Sequence, residues 1–488
     1  MAIKFGTSGW RAIIAEEFTF ANVRRVVEAI ARYVESSGRS PHGNSVPGSS
    51  SGVPILVGYD TRFLSREFAE EAARIFLAHD FEVHLCNAPT PTPTIAYEVL
   101  KNKRRPMAGA VNLTASHNPP QYNGIKFSSS DGAPALPEVT RAIETLLQGL
   151  NDSDVKRVPS LDHPRLKVVN LDKDYVRRIA ELIDLAAIRR ARMRLAYDAQ
   201  YGTGAAIVSR IAREFRIPVA MIHGHPDPSF GGHAPDPSEE HLGELKREMR
   251  RQHAALGLST DGDADRFGVL DRDGTFITPN DIIALGLDYL ITERNFPGGV
   301  CRSVATTHLI DAVAAYHHRE VFETPVGFKY VGELIKQDKL VIGGEESAGL
   351  SIRGHVPEKD GILACLLASE MVAVRGKSLK RQRQELFKRV GEFYNVRVNV
   401  PVDSVRRDEI QKKIENLPAL LNNLKQLPEV ERENNLDGKK VIFADGSWVL
   451  IRLSGTEPVA RLYCEANTET RLKILRREVE RLLTSAGE

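Results

Sequence analysis

The chain has 488 residues, with 66 basic and 64 acidic side chains and a net charge of +2. This balance excludes a general nucleic-acid-binding surface, so any anion site has to be local. At roughly 150 residues per domain, the length predicts about three domains and allows four. The longest apolar stretch, 362–374, is interrupted by Ser369 and Glu370, which argues against a membrane span.

The predicted elements alternate between strands and helices along the chain. A helical segment runs from Glu67 to Ala78, and another begins near Ala205. The strand-like runs are 55–58, 82–85, 195–197, 304–305, 341–342, 441–443 and 448–451. This alternation predicts βαβ units and an α/β fold with largely parallel sheets, in which ligands bind beyond the carboxyl ends of the strands. The segment 36–53 is rich in Ser, Gly and Pro and is predicted to be a flexible insertion.

The cysteines and the N-terminus predict the compartment. The four cysteines are widely separated and none has the spacing of a zinc site, and a chain of this length does not depend on disulfides. Residues 1–11 lack the apolar core of a signal peptide. We therefore expect a cytoplasmic protein with reduced thiols and no membrane partner.

A serine follows the strand-like run 108–113, in the sequence Thr114-Ala115-Ser116-His117-Asn118-Pro119. A hydroxyl on a tight loop at a strand end, next to a histidine and shortly before Lys126, can carry a phosphoryl group. His117 and Lys126 are the candidates for proton handling. The alternative is an ordinary turn before Pro119.

Three carboxylates occur at alternate positions in Asp261-Gly262-Asp263-Ala264-Asp265-Arg266. On an extended segment they would point to one side, and their oxygens suit Mg²⁺. An EF-hand is excluded because its sixth and twelfth positions would be Arg266 and Arg272. The alternative is three solvated loop acids. With Ser116, this loop predicts phosphoryl transfer, and Arg266 is placed to hold a phosphate oxygen.

A third motif, Arg452-Leu453-Ser454-Gly455-Thr456, is typical of a phosphate cradle. It offers one guanidinium, two hydroxyls and a glycine that lets backbone N–H groups approach. The alternative is a plain turn. By contrast, Gly202-Thr203-Gly204 lacks the third glycine of a dinucleotide-binding loop and is predicted to be a turn into a helix.

Taken together, these motifs resemble the α-D-phosphohexomutase superfamily, the phosphoglucomutases and phosphomannomutases. The resemblance extends from Gly6-Thr7-Ser8-Gly9-Trp10-Arg11 to Arg452 and the residues that follow it, which is nearly the whole chain. It implies several mixed α/β domains around a central cleft and a smaller C-terminal α+β domain. The implied units are a phosphoserine domain over 1–160, a metal-binding domain over 161–278, a sugar-recognition domain over 279–385 and a phosphate-binding domain over 386–488.

The resemblance also implies roles for the motif residues. Ser116 is the phosphate carrier, Lys126 the general base and His117 the residue that orients the phosphoserine, while Arg11 joins the catalytic group. One Mg²⁺ per chain is expected on Ser116, Asp261, Asp263 and Asp265. Arg452, Ser454, Gly455 and Thr456 match the loop for the phosphate that is not being transferred.

Sugar recognition is assigned by the same resemblance to Gly343-Gly344-Glu345-Glu346-Ser347-Ala348-Gly349. Glu345 and Ser347 match the residues that bind sugar hydroxyls, and Lys329 is expected to contact substrate. The bifunctional branch has a methionine and then a histidine in this loop, where this chain has Glu346 and Gly349. His355 is a candidate to replace that histidine. Glu346 has the alternative role of an acid at a helix N-terminus.

The expected activity is that of a phosphoglucomutase, which interconverts α-D-glucose 1-phosphate and glucose 6-phosphate through glucose 1,6-bisphosphate. A phosphomannomutase or a bifunctional enzyme is the alternative. A phosphatase and a non-catalytic sugar-phosphate binder are less consistent with a phosphate cradle beside a complete set of catalytic residues. The expected partners are small sugar phosphates without nucleic acid, and the expected state is a monomer or a homodimer.

Overall fold

Four sheets organise this computed structural model, which describes residues 3–6, 9–37, 52–402, 407–453 and 459–484. Three of the sheets mix parallel and antiparallel strands and are accompanied by helices, while the fourth is entirely antiparallel. The predicted class, α/β units with a smaller C-terminal α+β domain, is confirmed.

The first unit contains the serine loop. Its elements are β1 (Trp10–Ile13), α1 (Phe20–Ser37), β2 (Pro54–Tyr59), α2 (Ser65–Ala78), β3 (Glu82–Cys86), α3 (Thr92–Lys101), β4 (Gly109–Leu113), β5 (Tyr122–Ser129), α4 (Pro137–Gln148) and β6 (Leu166–Val169). The strand order is β1-β5-β4-β2-β3-β6. Every residue of β2 and β4 is buried, as expected for strands with helices on both faces.

Two sequence predictions change in this unit. Because β6 pairs in parallel with β3, the first unit continues past the boundary that we predicted after residue 160. The predicted insertion over 36–53 begins with the last residues of α1, Ser36 and Ser37, while its part from 38 to 51 lies outside the described residues.

The second unit contains the aspartate loop. Its elements are α5 (Asp172–Leu182), α6 (Leu185–Arg190), β7 (Leu195–Asp198), α7 (Gly204–Phe215), β8 (Val219–Ile222), α8 (Gly243–Gln252), β9 (Leu256–Thr260), β10 (Phe267–Asp271) and β11 (Phe276–Ile277). The strand order is β11-β10-β9-β7-β8. Since α7 begins at Gly204, the segment 202–204 is the predicted turn into a helix.

The third unit contains the predicted sugar loop. Its elements are α9 (Pro279–Thr292), β12 (Gly299–Ser303), α10 (Leu309–Tyr316), β13 (Val321–Thr324), α11 (Phe328–Lys336), β14 (Leu340–Glu345), β15 (Gly349–Ile352), α12 (Gly361–Arg375) and α13 (Leu379–Val390). The strand order is β13-β12-β14-β15. The predicted strand at 304–305 lies just after β12, and the predicted boundary between 385 and 386 falls inside α13.

The second and third units share one hydrophobic core, which extends from Tyr175 to Leu386. The helix α12 is central to it, because its residues from Gly361 to Met371 are all buried. A helix that is apolar on every side has to be enclosed. This shared core fixes the aspartate loop and the sugar loop relative to each other.

The C-terminal unit has its own core. Its elements are β16 (Tyr394–Pro401), α14 (Arg407–Glu415), α15 (Leu417–Asn422), β17 (Val430–Asn434), β18 (Lys439–Phe443), β19 (Trp448–Leu453), β20 (Val459–Ala466) and α16 (Glu469–Thr484). The strand order is β16-β20-β19-β18-β17, and the predicted strands at 441–443 and 448–451 lie in β18 and β19. Among the described residues, no helix combines the length and apolar character needed to cross a membrane.

Candidate active site

Ser116 lies in the tight loop between β4 and β5, which are antiparallel neighbours. Its backbone is left-handed, with a φ of 54°, a conformation that costs a non-glycine residue about 1–2 kcal/mol and that is concentrated at functional sites. The residue is 1% exposed, and its Oγ donates to Asp261 Oδ2 at 2.6 Å. The predicted phosphate carrier is therefore hydrogen-bonded to the predicted metal loop.

A buried arginine holds this loop in place through hydrogen bonds to backbone carbonyls. The sequence analysis missed this residue. Arg62 Nη2 donates to the carbonyl oxygens of Ser116 and Asn118, at 2.7 and 2.5 Å, and Nη1 donates to two more carbonyls nearby. Asp60 lies 3.2 Å from Arg62 Nε. The available signal was the polar run 60–62 after β2, because β2 and β4 are parallel neighbours whose carboxyl ends meet at one edge.

The aspartate loop is a hairpin turn and not the extended segment that we predicted. It joins β9 to β10, which pair antiparallel, and its backbone reverses at Ala264, where φ is 58°. Asp261 Oδ1 accepts the N–H groups of Asp265 and Arg266, which closes the turn. The carboxylates converge through this turn, since alternate residues on a strand would be roughly 6–7 Å apart.

The three carboxylates form a compact cluster of oxygens. Asp261, Asp263 and Asp265 are at most 1% exposed, and one oxygen from each lies within 4.8 Å of the others. Asp263 Oδ1 and Asp265 Oδ1 are buried without a hydrogen-bond partner in the described ranges. Hard oxygens that converge and lack donors suit Mg²⁺, and buried anions need a cation. The residues present therefore fit a magnesium ion.

Two lysines balance part of this charge. Lys126 Nζ lies 2.6 Å from Asp263 and 2.7 Å from Asp265, and Lys359 Nζ lies 3.0 Å from Asp265. Burial opposes the charged form of Lys126, but the two carboxylates outweigh it and raise the pKa of this lysine. Burial also opposes the ionised form of Asp265, yet the lysines hold its pKa well below the usual range. In this arrangement Lys126 is an ammonium ion.

Asp261 behaves differently from Asp265. Burial, followed by repulsion from Asp265 and Asp263, raises the pKa of Asp261 well above its usual range. This is the carboxyl group that accepts the Ser116 hydroxyl. In this cluster the protonated form of Asp261 and the ionised form of Asp265 are favoured, as expected when several carboxyl groups share one buried site.

Three more predicted residues surround the serine. His117 Nδ1 lies 3.5 Å from Ser116 Oγ, and burial, followed by the charges of Arg266 and Arg11, holds the pKa of His117 well below its usual range. The imidazole is therefore neutral. Arg11 Nη1 donates to Asn118 Oδ1 at 2.6 Å, and Arg266 Nε is buried without a partner in the described part of the chain. Two guanidinium groups thus lie close to the predicted phosphate carrier.

The predicted sugar loop is the turn between β14 and β15. Glu345 ends β14, and the turn over 346–348 joins it to an antiparallel strand. The interpretation of Glu346 as an acid at a helix N-terminus is therefore wrong. Ser347 is half-buried in this turn.

Glu345 is the most perturbed acid of the sugar loop. It is 4% exposed, and its Oε1 accepts the Gly327 N–H at 2.7 Å. Burial, followed by repulsion from Glu346, raises the pKa of Glu345 to about 7. Lys329 lies in the first turn of α11, two residues beyond Gly327, and burial lowers its pKa. Glu345 and the segment that carries Lys329 are therefore adjacent.

Lys359, which the sequence analysis did not select, explains why position 349 is a glycine and not a histidine. A Cβ atom added at Gly349 would lie 2.5 Å from Lys359 Cδ and 2.7 Å from its Cγ. The space that a histidine would need at position 349 is therefore filled by the lysine stem. Since Lys359 Nζ contacts Asp265, this one side chain connects the sugar loop with the aspartate loop.

His355 does not occupy that space. Its side chain is fully buried, and its Nε2 lies 2.7 Å from Asp360 Oδ2. The same oxygen accepts the Tyr175 hydroxyl at 2.5 Å, and Asp360 Oδ1 caps α12 at Leu363 N. His355 is therefore part of a buried hydrogen-bonded cluster, and this position argues against the predicted contact with a sugar.

Arg452 lies near the end of β19, and its Nη2 donates to Asp437 Oδ2 at 2.7 Å. The other predicted members of this loop, Ser454, Gly455 and Thr456, lie outside the described residues. Among the described residues, the structure therefore forms two groups. One surrounds Ser116 and the aspartates, and the other contains Lys329, Glu345 and Arg452.

Four domain models of one family match the chain in order. They are described as phosphoglucomutase/phosphomannomutase alpha/beta/alpha domain I over residues 2–153, domain II over 173–274, domain III over 278–390 and the C-terminal domain over 398–482.

Relatives of known sequence or structure match over almost their full length. A protein from Thermococcus kodakarensis named phosphoglucomutase/phosphomannomutase is 29% identical over 96% of this chain and 96% of its own. A protein from Methanothermobacter thermautotrophicus named probable phosphoglucosamine mutase is 29% identical over 96% of this chain and 95% of its own. A crystal structure of a protein from Thermus thermophilus is 31% identical, with a TM-score of 0.83 over 99% of this chain and 100% of that one.

Proposed function

The chain belongs to the phosphoglucomutase/phosphomannomutase family and is a phosphohexomutase, and we propose that it interconverts α-D-glucose 1-phosphate and glucose 6-phosphate. The observation that carries the proposal is the 2.6 Å hydrogen bond from Ser116 Oγ to Asp261. It joins a strained, buried serine to a cluster of carboxylates. Such a pairing suits a serine that carries a phosphoryl group, because the protein's task in phosphoryl transfer is positioning and neutralising charge.

In the proposed reaction, phosphorylated Ser116 is the donor. A free hydroxyl of the bound sugar monophosphate attacks phosphorus, the bond from phosphorus to Ser116 Oγ breaks, and the hydroxyl proton passes to Lys126 in its amine form. The product is glucose 1,6-bisphosphate, which reorients in the cleft and returns its other phosphoryl group to Ser116. The sugar oxygen that is freed in this second transfer takes the proton back from Lys126. The serine thus ends each cycle phosphorylated, and the net change is an isomerisation.

The proposed roles of the remaining residues follow from their charges. Asp261, Asp263 and Asp265, with an oxygen on Ser116, are the proposed ligands of Mg²⁺, which when bound neutralises phosphoryl charge and disfavours the ammonium form of Lys126. Arg11 and Arg266 hold the transferring group, and the neutral His117 orients it by hydrogen bonding.

The second phosphate and the sugar are assigned to the other group of residues. Arg452, Ser454, Gly455 and Thr456 are proposed to hold the phosphate that is not being transferred, in both orientations of the sugar. Glu345 and Ser347 are proposed to bind neighbouring sugar hydroxyls, with Lys329 at the substrate oxygens. Losing one buried sugar hydrogen bond costs about 1–3 kcal/mol, so the preference for glucose over mannose phosphate is expected to be roughly tenfold or more.

A hexosamine phosphate is a second candidate substrate. Glu346 lies beside Glu345 and accepts the hydroxyls of Ser303 and Thr306 at 3.2 and 3.3 Å. Two neighbouring carboxylates favour a cationic substituent, such as a 2-ammonium group, over a neutral hydroxyl. The name of the Methanothermobacter relative points the same way.

Side-by-side kinetics on three substrates test the proposal. Glucose, mannose and glucosamine 1-phosphates are supplied separately with Mg²⁺ and the matching 1,6-bisphosphate, and ³¹P NMR follows both the isomer and free phosphate. We expect the highest kcat/KM for glucose 1-phosphate and no net release of phosphate. A higher value for mannose or glucosamine 1-phosphate would reassign the substrate, and phosphate release without isomer formation would indicate a phosphatase. Glu345→Ala should lower kcat/KM for every substrate.

A further inference from the structure

The third unit and the C-terminal unit meet at the turn between β17 and β18. Asp437 lies in this turn, and one of its oxygens, Oδ2, accepts two hydrogen bonds. One donor is Arg452 Nη2, at 2.7 Å, within the C-terminal unit. The other is the backbone N–H of Val326, at 2.9 Å, in the third unit. A single carboxylate oxygen therefore links the two units.

The link continues to the sugar loop. Val326 N–H donates to Asp437, and the next N–H, that of Gly327, donates to Glu345 at 2.7 Å. Two consecutive amides thus join the carboxylate beside Arg452 to the carboxylate proposed to bind the sugar. Lys329 follows on the same segment and is attracted by both Asp437 and Glu345.

The backbone at Gly438 allows the turn to pack closely against Arg452. Gly438 has a φ of 83°, and a Cβ atom added there would lie 2.4 Å from Arg452 Cγ. A glycine at this position lets the turn lie directly against the arginine stem. Burial opposes the charged form of Arg452, but the hydrogen bond that Arg452 donates to Asp437, together with the charge of this carboxylate, outweighs burial and raises the pKa of the guanidinium. Arg452 Nε remains buried without a partner in the ranges that the structure describes, so this guanidinium still has a donor to offer.

We propose that Asp437 is a positioning residue that holds the Arg452 guanidinium and the Val326–Gly327 amides as one unit, so that the phosphate group and the sugar are bound together. The inference rests on the proposed function, because it takes Arg452 as a phosphate ligand. Binding of the distant phosphate is felt equally in the ground state and the transition state, so loss of this arrangement raises KM and leaves kcat nearly unchanged.

The kinetic test uses Asp437→Asn in the full chain. The amide keeps an oxygen acceptor but loses the charge that orients Arg452. We expect KM for glucose 1-phosphate to rise about tenfold with kcat within about threefold of wild type, as a small misplacement of a binding group predicts. Asp445→Asn is the matched control, since Asp445 forms a 3.0 Å ion pair with Arg471 in the same unit. It should leave KM unchanged. A purely structural role would lower the active fraction and therefore kcat, and an unchanged KM would overturn the proposal.

Hydrogen exchange gives a test that does not depend on turnover. Arg452→Ala should increase exchange in the peptide that contains Val326 and Gly327, because the arginine holds the acceptor of the Val326 amide. Exchange at the wild-type level there would overturn the coupling. If the wild-type enzyme turns over none of the three sugar phosphates, the proposed function fails and this exchange measurement alone decides the inference.

Discussion

The serine–aspartate centre, formed by Ser116, Asp261, Asp263, Asp265 and Lys126, differs in construction from the sugar–phosphate side, formed by Lys329, Glu345 and Arg452. Each member of the centre is at most 6% exposed, and its ion pairs and hydrogen bonds are direct. On the other side, recognition residues from two units are joined through a turn and two backbone amides. The residues proposed for the chemistry therefore form one compact buried cluster, whereas the residues proposed for recognition depend on how two units meet. Substitutions in the centre should lower kcat, and substitutions on the other side should mainly alter KM or its pH dependence.

Removing the phosphate carrier should have the largest effect. Ser116→Ala takes away the oxygen that forms the covalent bond, so we expect kcat to fall by at least about a thousandfold, equivalent to roughly 4 kcal/mol of transition-state stabilisation. Isomer formation from glucose 1-phosphate measures it. Ser369→Ala is the matched control, because this buried serine donates to the Cys365 carbonyl on α12, away from the proposed site. Near-wild-type turnover by the Ser116 variant would refute its role.

Weakening the carboxylate cluster should have the next largest effect. Asp263→Asn removes one charge from the proposed magnesium site, and we expect kcat to fall about a hundredfold with a smaller change in KM. Chelation of wild-type enzyme should abolish turnover, and Mg²⁺ should restore it best, since the ligands are hard oxygens. The exposed acid Asp273, as Asp273→Asn, serves as the control. Turnover that survives chelation would contradict the metal assignment.

The pH dependence of recognition provides a finer test. Because the pKa of Glu345 is raised to about 7, this group is neutral below and ionised above that pH, and kcat/KM should rise with pH through this region. Glu346→Gln removes the second cause of the raised pKa of Glu345. In this variant the fall of kcat/KM at low pH should occur at a lower pH. Glu333→Gln on α11 is the control. The folded state binds the extra proton between the ordinary pKa of 4.5 and about 7, so this group's contribution to stability is present below 4.5 and is lost as pH rises to 7. If the low-pH fall of kcat/KM does not move in the Glu346→Gln variant, Glu345 is not the group that causes it.

The smallest expected effect on turnover concerns Lys440, which is buried where the C-terminal unit meets the third, and its titration is therefore tested through stability. Its Nζ donates to the Val304 carbonyl at 2.8 Å and lies 3.9 Å from the centre of the Trp448 ring. Burial, followed by repulsion from Arg302, lowers the pKa of Lys440 to about 7. Between pH 7 and its unfolded value near 10.4 the unfolded chain binds the extra proton, so stability should rise with pH in this window.

Trp448 fluorescence in a Trp10→Phe background can follow this unfolding. Lys440→Met should flatten the rise with pH, and Lys439→Met should not, because Lys439 pairs with Glu433 at 2.5 Å on the surface. Glu323 and Glu465 favour the charged amine and partly oppose its burial, and the pKa of about 7 already includes their effect. An equally steep rise in the Lys440 variant would assign the titration to another group.

Sequence patterns pointed to the proposed reacting groups more readily than to the groups that hold them. Ser116 and the three aspartates could be found because each follows an apolar strand and carries an unusual local pattern. Arg62 was missed because it reaches the serine loop across 54 residues of chain, and its only signal was its place in the polar run after β2. Lys359 and Asp437 also act through contacts between units, which no local pattern encodes. The hairpin form of the aspartate loop was missed because alternate acids fit a strand and a turn equally well.

The labelling of Ser116 tests the central claim most directly. Purified enzyme is incubated with glucose 1,6-bisphosphate carrying ³²P, then digested, and the labelled peptide is identified by mass spectrometry. We predict one labelled site, at Ser116, whose label passes quantitatively into sugar phosphates when unlabelled glucose 6-phosphate is added. Label on another residue, or label released from Ser116 as inorganic phosphate rather than transferred to sugar, would contradict the account.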